Sequence, residues 1–515
     1  MIYDAIVVGA GPGGSAAAIR LAERGWNVLL LEKHTFPRDK ICGDLISPRS
    51  IRTLEQLGCL PAVQAAAANR LRSGTLYVNG REIASAAIPD VAGLHNYGYG
   101  LPRLVFDEII FRRAQARGAH SVEGCAVQGV VVEPDGVSVQ AVCGRRPRRF
   151  RGRLVIGADG SHSVVARSLG LERRDSRNVI VALRAYYGEL QGDPETVALF
   201  FDQRFFPGYG WIFQLGNGRA NVGLGMVRDV YQRYQINLLR RLREWVEMDP
   251  HARLWLRGAR LDGRVVGWPL NTYASGGATF AERALLIGDA GSFVDPINGE
   301  GIHTALETAV IAAGVAEEAL QTGDLSAAFL ASYERRWRAA LALDLQMASL
   351  IVAIIQNRPL TPLWMTLLRL IGTAAGRDPR YAALCGGILA GVVPTHHSAS
   401  PVAAAKTLRH GPALWSAELG HAAGPGLAGL TGAGMLAASH LLDAMSGMLA
   451  EPAHTAGWGL DVARKGAGVV RGLGEKYASS ALQFVAGAGR PPALPWQILE
   501  ETNDGHTQDI ASPAG

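Results

Sequence analysis

The sequence predicts an α/β protein in three parts: a Rossmann-like nucleotide-binding domain, an antiparallel-sheet substrate domain and an α-helical C-terminal region. Three observations predict it. An apolar run at residues 3–8 passes through Gly9-Ala10-Gly11-Pro12-Gly13-Gly14 into the helix-like SAAAIRLAERG and then the strand-like WNVLLLE. Strand-type patterning dominates about 76–100 and 176–275. From Tyr333 to about Cys385 the pattern turns helical and strongly apolar. At 515 residues the chain exceeds one compact core, and 48% apolar against 19% charged residues excludes wholesale disorder.

Each element of the first βαβ unit has a reason. Gly9 permits the tight turn, Gly11 lets backbone approach a pyrophosphate, and Gly14 lets helix pack on strand, while the helix amides from Gly13 onward face the phosphates. Glu32 ends the second strand 18 residues after Gly14, where a carboxylate accepts hydrogen bonds from ribose hydroxyls and repels a 2′-phosphate. To this point the dinucleotide can be NAD or FAD. Residues 154–167 (LVIGADGSHSVVAR) then give a strand and a sharp turn through Asp159, beside a nucleotide. Residues 284–303 (ALLIGDAGSFVDPINGEGIH) give a strand ending in Gly288-Asp289 and glycines that open a long helix. Asp289 suits a ribityl hydroxyl, and the amides around Gly301 and Ile302 suit negative charge on a reduced isoalloxazine. The choice falls on FAD.

These three motifs in this order resemble the FAD-dependent oxidoreductases of the aromatic-hydroxylase structural class. Within it the chain is similar to the geranylgeranyl reductase family, through PRDKICGD from Pro37, PGYGWIF from Pro207, PINGEGI from Pro296 and GGILAGVVP from Gly386. The likeness covers about residues 1–405, and it departs at Gln214, where the family's aromatic motif ends in proline. It implies reduction of C=C bonds in a hydrophobic isoprenoid of geranylgeranyl type. It also implies that Lys33, Cys42, Gly43, Arg103, Ala126 and Gly299 contact FAD, Arg103 at a phosphate or the ribityl chain and Ala126 through its backbone at the adenine, with Cys42 beside the flavin as proton donor and His303, Asp295, Glu300 and Tyr209 as rivals. Tyr209, Trp211 and Phe213 alternate onto one strand face, as a substrate wall or as ordinary sheet packing.

The expected layout is an FAD-binding domain over 1–75, 101–175 and 276–330, a substrate-binding domain over 76–100 and 176–275, a helical cap over 331–405, and an Ala/Gly-rich extension over 406–515. No second strand–GxGxxG–helix appears, so electrons come from an external donor, NAD(P)H or an electron carrier, docking transiently. A net charge of +6 implies no nucleic-acid partner, and the basic run Arg145 to Arg153 reads as a solvated hairpin tip. No metal site is expected. The five cysteines have neither the close pairing of a zinc site nor the density of a disulfide framework, which fits a reducing cytoplasm. Met347–Ile355 is too short to cross a bilayer, so no transmembrane helix is expected, although the apolar C-terminal part leaves peripheral membrane contact open. Competing functions are an FAD-dependent monooxygenase or halogenase acting on an apolar or aromatic product, and a non-catalytic prenyl-binding escort.

Overall fold

A computed structural model describes residues 2–172, 175–191, 193–400, 403, 439 and 441–485, with backbone alone over 477–485. Most of the expected 406–515 extension therefore lies outside the described residues.

The first sheet is built around Ile2–Val8, which pairs in parallel with Val28–Leu31 on one side and Arg146–Gly157 on the other. Ala284–Leu286 and His120–Val122 extend it, also in parallel. A parallel sheet is covered on both faces, which is why this strand reads as an unbroken apolar run. Ala5 and Val7 pack beneath the helices Pro12–Glu23, Arg103–Ala116 and Ile302–Thr322. Ile6 and Val8 face the hairpin Cys125–Glu133 and Gly136–Cys143.

The second sheet has seven strands in the order Arg260–Asn271, Val179–Gly188, Arg219–Val227, Tyr209–Gly216, Thr196–Phe201, Ser73–Val78 and Arg81–Ala87. Its first strand in the chain thus begins at Ser73, ahead of the expected boundary at 76. Neighbours run antiparallel except Thr196–Phe201 with Ser73–Val78, which run parallel. Helix Leu238–Met248 buries Trp245 completely against one face. The opposite face looks into the nucleotide domain.

The sequence reading needs correction at two places. Cys125 and Cys143 stand directly opposite one another in the hairpin and are joined by a disulfide, so two of the five scattered cysteines are paired by sheet register. The apolar stretch at 347–355 is the end of a continuous helix: Ala327–Trp337 passes through a π-helical turn, Arg338–Ala342, into Leu343–Ile355. That run, Ala327–Ile355, is long and apolar enough to cross a membrane. Yet Leu330, Tyr333, Trp337 and Leu341 lie in the nucleotide-domain core, which explains the apolar first half without a bilayer. Thr361–Ala375 and Pro379–Leu389 then cover the second sheet, with Gly372 seated against Ile83. Helix Pro452–Val485 lies on Leu343–Ile355, its Trp458 indole donating to the Ala353 carbonyl at 2.7 Å.

Candidate active site

One cavity of about 1000 Å³ begins at the first glycine loop, passes between the two sheets and ends among the C-terminal helices. Its first arm is made by backbone. Gly9 has φ +97°, and a Cβ there would sit 2.5 Å from the Ala158 carbonyl oxygen. At Gly14 a Cβ would fall 1.8 Å from the Gly9 oxygen. Both glycines are forced by chain against chain. At Gly11, by contrast, the nearest atom to such a Cβ is an Arg38 nitrogen 3.9 Å away, so the space over the helix N-terminus is open for a phosphate. Gly13 is pressed against Ala305 at the start of the last nucleotide-domain helix.

Glu32 is buried and accepts from the Ala10 amide at 3.1 Å and the His34 amide at 3.0 Å. Beside it Lys33 is exposed at the cavity edge, and Ala126 lines the wall next to the disulfide. Asp159 caps the short helix after its turn, accepting from the Ser163 hydroxyl at 2.5 Å and the Val164 amide at 2.6 Å. It is thus half committed to local structure. Asp289 accepts from the Ser161 hydroxyl at 3.1 Å and lies against Gly301, where a Cβ would stand 3.2 Å from its carboxylate. Gly299 turns with φ +67°, and Ile302 begins the helix whose amides face the cavity.

Where the arms meet, the turn Cys42-Gly43-Asp44 is clamped from three directions. Asn221 donates to the Cys42 carbonyl at 2.7 Å and the Asp44 carboxylate at 2.9 Å, and accepts from the Trp211 indole at 2.9 Å. Tyr186 donates to Asp44 at 2.7 Å, and the Arg103 amide donates at 3.2 Å. Asp44 holds φ +62°, a conformation that costs a non-glycine residue about 1 kcal/mol or more and persists only where surroundings impose it. Burial pushes its carboxyl from 3.8 up to about 6, against the opposing hydrogen bonds of Asn221 and Tyr186. Arg103 is buried, and its guanidinium is engaged by Asp107, which keeps it charged despite burial. Burial likewise pushes the half-buried Cys42 thiol up, while the Arg103 guanidinium and the Asp44 amide act to lower it. Cys42 is therefore a thiol at neutral pH with groups placed to receive a thiolate.

The rivals are otherwise engaged. Tyr209 donates to the Asn298 carbonyl. The Asp295 carboxylate accepts the Ile297 amide at 2.8 Å. Glu300 and His303 form a buried pair at 3.1 Å, in which the carboxylate holds the imidazole above its ordinary value although burial opposes it. The aromatic wall is present: ring centroids of Tyr209 and Trp211 are 5.9 Å apart, those of Trp211 and Phe213 6.0 Å, and a Cβ on Gly43 would meet Phe213 at 3.1 Å. The intervening Gly210 faces Trp245 on the other side. Past this wall the cavity is apolar, lined by Leu199, Phe206, Ile355, Trp364, Leu368 and Ile388. Gln214 is buried outside it.

Sequence reasoning missed Asp44, Asn221, Tyr186 and Lys40. Lys40 lies 3.7 Å from where a Gly160 Cβ would be and over Trp268, with burial lowering its ammonium. Asn221 left one usable signal, a polar amide inside the apolar strand ANVGLGMV.

Comparison with known proteins agrees with this geometry. A family model described as an FAD binding domain matches residues 2–187. Digeranylgeranylglycerophospholipid reductase 2 of Methanopyrus kandleri is 36% identical over 348 residues, which span 65% of this chain and 82% of the relative. The chain belongs to the geranylgeranyl reductase family. This geranylgeranyl reductase-family protein is an FAD-dependent oxidoreductase. Menaquinone reductase of Mycobacterium tuberculosis is 35% identical over 345 residues, 63% of this chain and 78% of that one. Among solved structures, a geranylgeranyl bacteriochlorophyll reductase-like protein from Thermoplasma acidophilum superposes with a TM-score of 0.60 at 24% identity, covering 79% of this chain and 95% of the other. The flavin-dependent brominase Bmp2 gives 0.63 at 18% identity over 81% and 99%, which shows shared fold alone. The residues present fit FAD: an open phosphate cradle at Gly11, a buried carboxylate at Glu32, and one continuous cavity from there to Asp289 and Gly301.

Proposed function

We propose that this protein reduces C=C bonds of a long, apolar isoprenoid. FAD, held between Gly11 and Gly301 and reduced by an external donor, would supply the hydride. The chain's own residues do the rest. The wall of Tyr209, Trp211 and Phe213 holds an alkene against the flavin arm and excludes water, and the apolar arm beyond takes the remaining length of chain. Cys42, at the junction, gives its Sγ proton to the second alkene carbon, and the resulting thiolate is stabilised by Arg103 and the Asp44 amide. The single observation that supports this reading best is the cavity itself. One polar arm meets one apolar arm at a thiol. The relatives named for reducing a prenylated phospholipid or menaquinone support the substrate class.

Anaerobically reduced protein mixed with geranylgeranyl lipids tests the reading by product mass. A gain of two hydrogens with flavin reoxidation is the expected result. Oxygen or halogen in the product, in air with halide present, would replace this reading by a monooxygenase or halogenase, and colourless protein that takes up no FAD would leave an escort.

A further inference from the structure

Three strands of the second sheet present one row of side chains to the Cys42 turn. Tyr186, Asn221 and Phe213 are cross-strand partners on Val179–Gly188, Arg219–Val227 and Tyr209–Gly216, so they leave the same face side by side. Tyr186 donates to Asp44, Phe213 lies against Gly43, and Asn221 donates to both the Cys42 carbonyl and Asp44. The middle member differs from its neighbours in also bonding along the sheet, where its oxygen accepts from the Trp211 indole. Trp211 lies over Gly223, which has no room for a Cβ beside the ring. Glycine beneath it and Asn221 at its edge leave the indole one seat.

The chemistry of these partners calls for an amide. An indole N–H only donates, whereas the Cys42 carbonyl and the Asp44 carboxylate only accept, so the residue between them must accept once and donate twice. Asn221 does this with three bonds of 2.7 to 2.9 Å, fully buried and outside the cavity. A buried polar group with every partner satisfied rigidifies its surroundings and selects a single arrangement. The arrangement selected here relates two parts of one reaction: the ring that faces an alkene and the turn that carries the thiol. We propose that Asn221 is a positioning residue that holds the Cys42 proton donor in register with the aromatic wall. It acts through the Cys42 backbone and the Trp211 indole, and its role rests on the alkene-reduction reading.

Asn221→Asp keeps the shape and replaces the two donated bonds by a carboxylate facing the Cys42 carbonyl and Asp44. The test mixes anaerobically reduced, flavin-loaded protein with a detergent-dispersed digeranylgeranylglycerophospholipid and follows single-turnover flavin reoxidation. N221D should slow it by about 10- to 100-fold, the cost of a misplaced reacting group. In the Cys42→Ala background the same change should cost no more than about twofold further, because the donor it positions is gone. A merely structural loss would slow both backgrounds alike.

A pH profile gives a second readout. The groups facing this point are Asp44 and Cys42 on the turn, Tyr186 with Arg184 stacked on it, and Arg103. Two carboxyls in contact share a proton, which restores a hydrogen bond between strand and turn, so the ratio of N221D to wild-type rates should climb as pH falls from about 9 to about 7. Retained flavin absorbance shows that the variant is folded. If N221D takes up no FAD, Trp211→Phe breaks the same chain at its other end, keeping a ring and removing the N–H, and the comparison with and without Cys42 is made there. Equal losses in the two backgrounds, or N221D as fast as wild type while Cys42→Ala is slow, would overturn the positioning role alone. Wild type that leaves the lipid unreduced would fail the substrate reading, and Cys42→Ala as fast as wild type the donor reading; either removes the step that Asn221 serves.

Discussion

The two arms of the cavity are built from different materials. In the nucleotide arm, shape comes from backbone: Gly9 and Gly14 are where two chain segments leave no room for a Cβ, and Gly11 is where room is left for a ligand. In the apolar arm, shape comes from side chains supplied by strands 73–78, 196–201 and 209–216 and by the helices after 343. A backbone-made site tolerates one residue type at each position, whereas a side-chain-made site tolerates any apolar residue of suitable volume. The difference predicts opposite sensitivities to mutation.

The largest effect is expected at Gly14. Gly14→Ala places a methyl 1.8 Å from a carbonyl oxygen, and the strand–helix crossing cannot open without disturbing the core around Ala5 and Val7. A loss above about 4 kcal/mol is expected, seen as flavin-free, poorly folded protein. Gly11→Ala has space around it and should purify folded, with a normal melting curve after FAD removal but weakened FAD binding in a fluorescence titration. If both alanines behave alike, the contrast between forced and open glycines is wrong.

At the junction, Cys42→Ala should leave flavin content unchanged and lower the alkene-reduction rate by about 10²-fold or more, the contribution typical of a positioned proton donor. Single-turnover flavin reoxidation measures it directly. Unchanged reoxidation would transfer the role to the Glu300–His303 pair.

Asp44 gives a pH-dependent prediction. Burial raises its carboxyl from 3.8 to about 6, so the folded state binds the proton more tightly than the unfolded chain. That contribution to stability is fully present below about pH 4 and is lost as pH rises through about 6, roughly 3 kcal/mol in total. Asp44→Asn removes the titration. The stability of wild type relative to the variant, from urea unfolding, should therefore fall by roughly 2–3 kcal/mol between about pH 4 and pH 7. Parallel curves would show that the carboxyl is not held in its neutral form there.

This division also explains what could be read from sequence. Gly9, Gly11, Gly14, Glu32, Asp289 and Gly301 announced a dinucleotide because their spacing is dictated by one rigid ligand against one fold. The alternation of Tyr209, Trp211 and Phe213 announced a wall. The clamp of Asn221, Tyr186 and Asp44 was not legible, because Tyr186 and Asn221 lie 142 and 177 residues beyond Asp44 and reach it only when the second sheet docks on the Cys42 turn. The Cys125–Cys143 pairing was hidden for a related reason: it depends on hairpin register, which a bulge between Val127 and Gly129 shifts by one residue. Such partners are fixed by tertiary geometry, and local pattern carries no record of them.

The smallest effect is expected where neither arm reaches. Arg149 and Arg151 meet Glu133 near the turn of the hairpin, with the arginine side chains 60% and 47% exposed. The strand that ends at Glu133 lines the cavity at Ala126 and Cys125, seven and eight residues earlier, or about 23–26 Å along an extended chain. Exposed pairs of this kind stabilise by about 0–1 kcal/mol and are screened by salt. Arg149→Ala with Arg151→Ala should accordingly shift the melting temperature by a few degrees at most and leave FAD affinity untouched. A weakened FAD affinity in this double variant would mean that the hairpin acts as a lever on the adenine-end wall, and that the nucleotide arm depends on side chains well beyond its glycines.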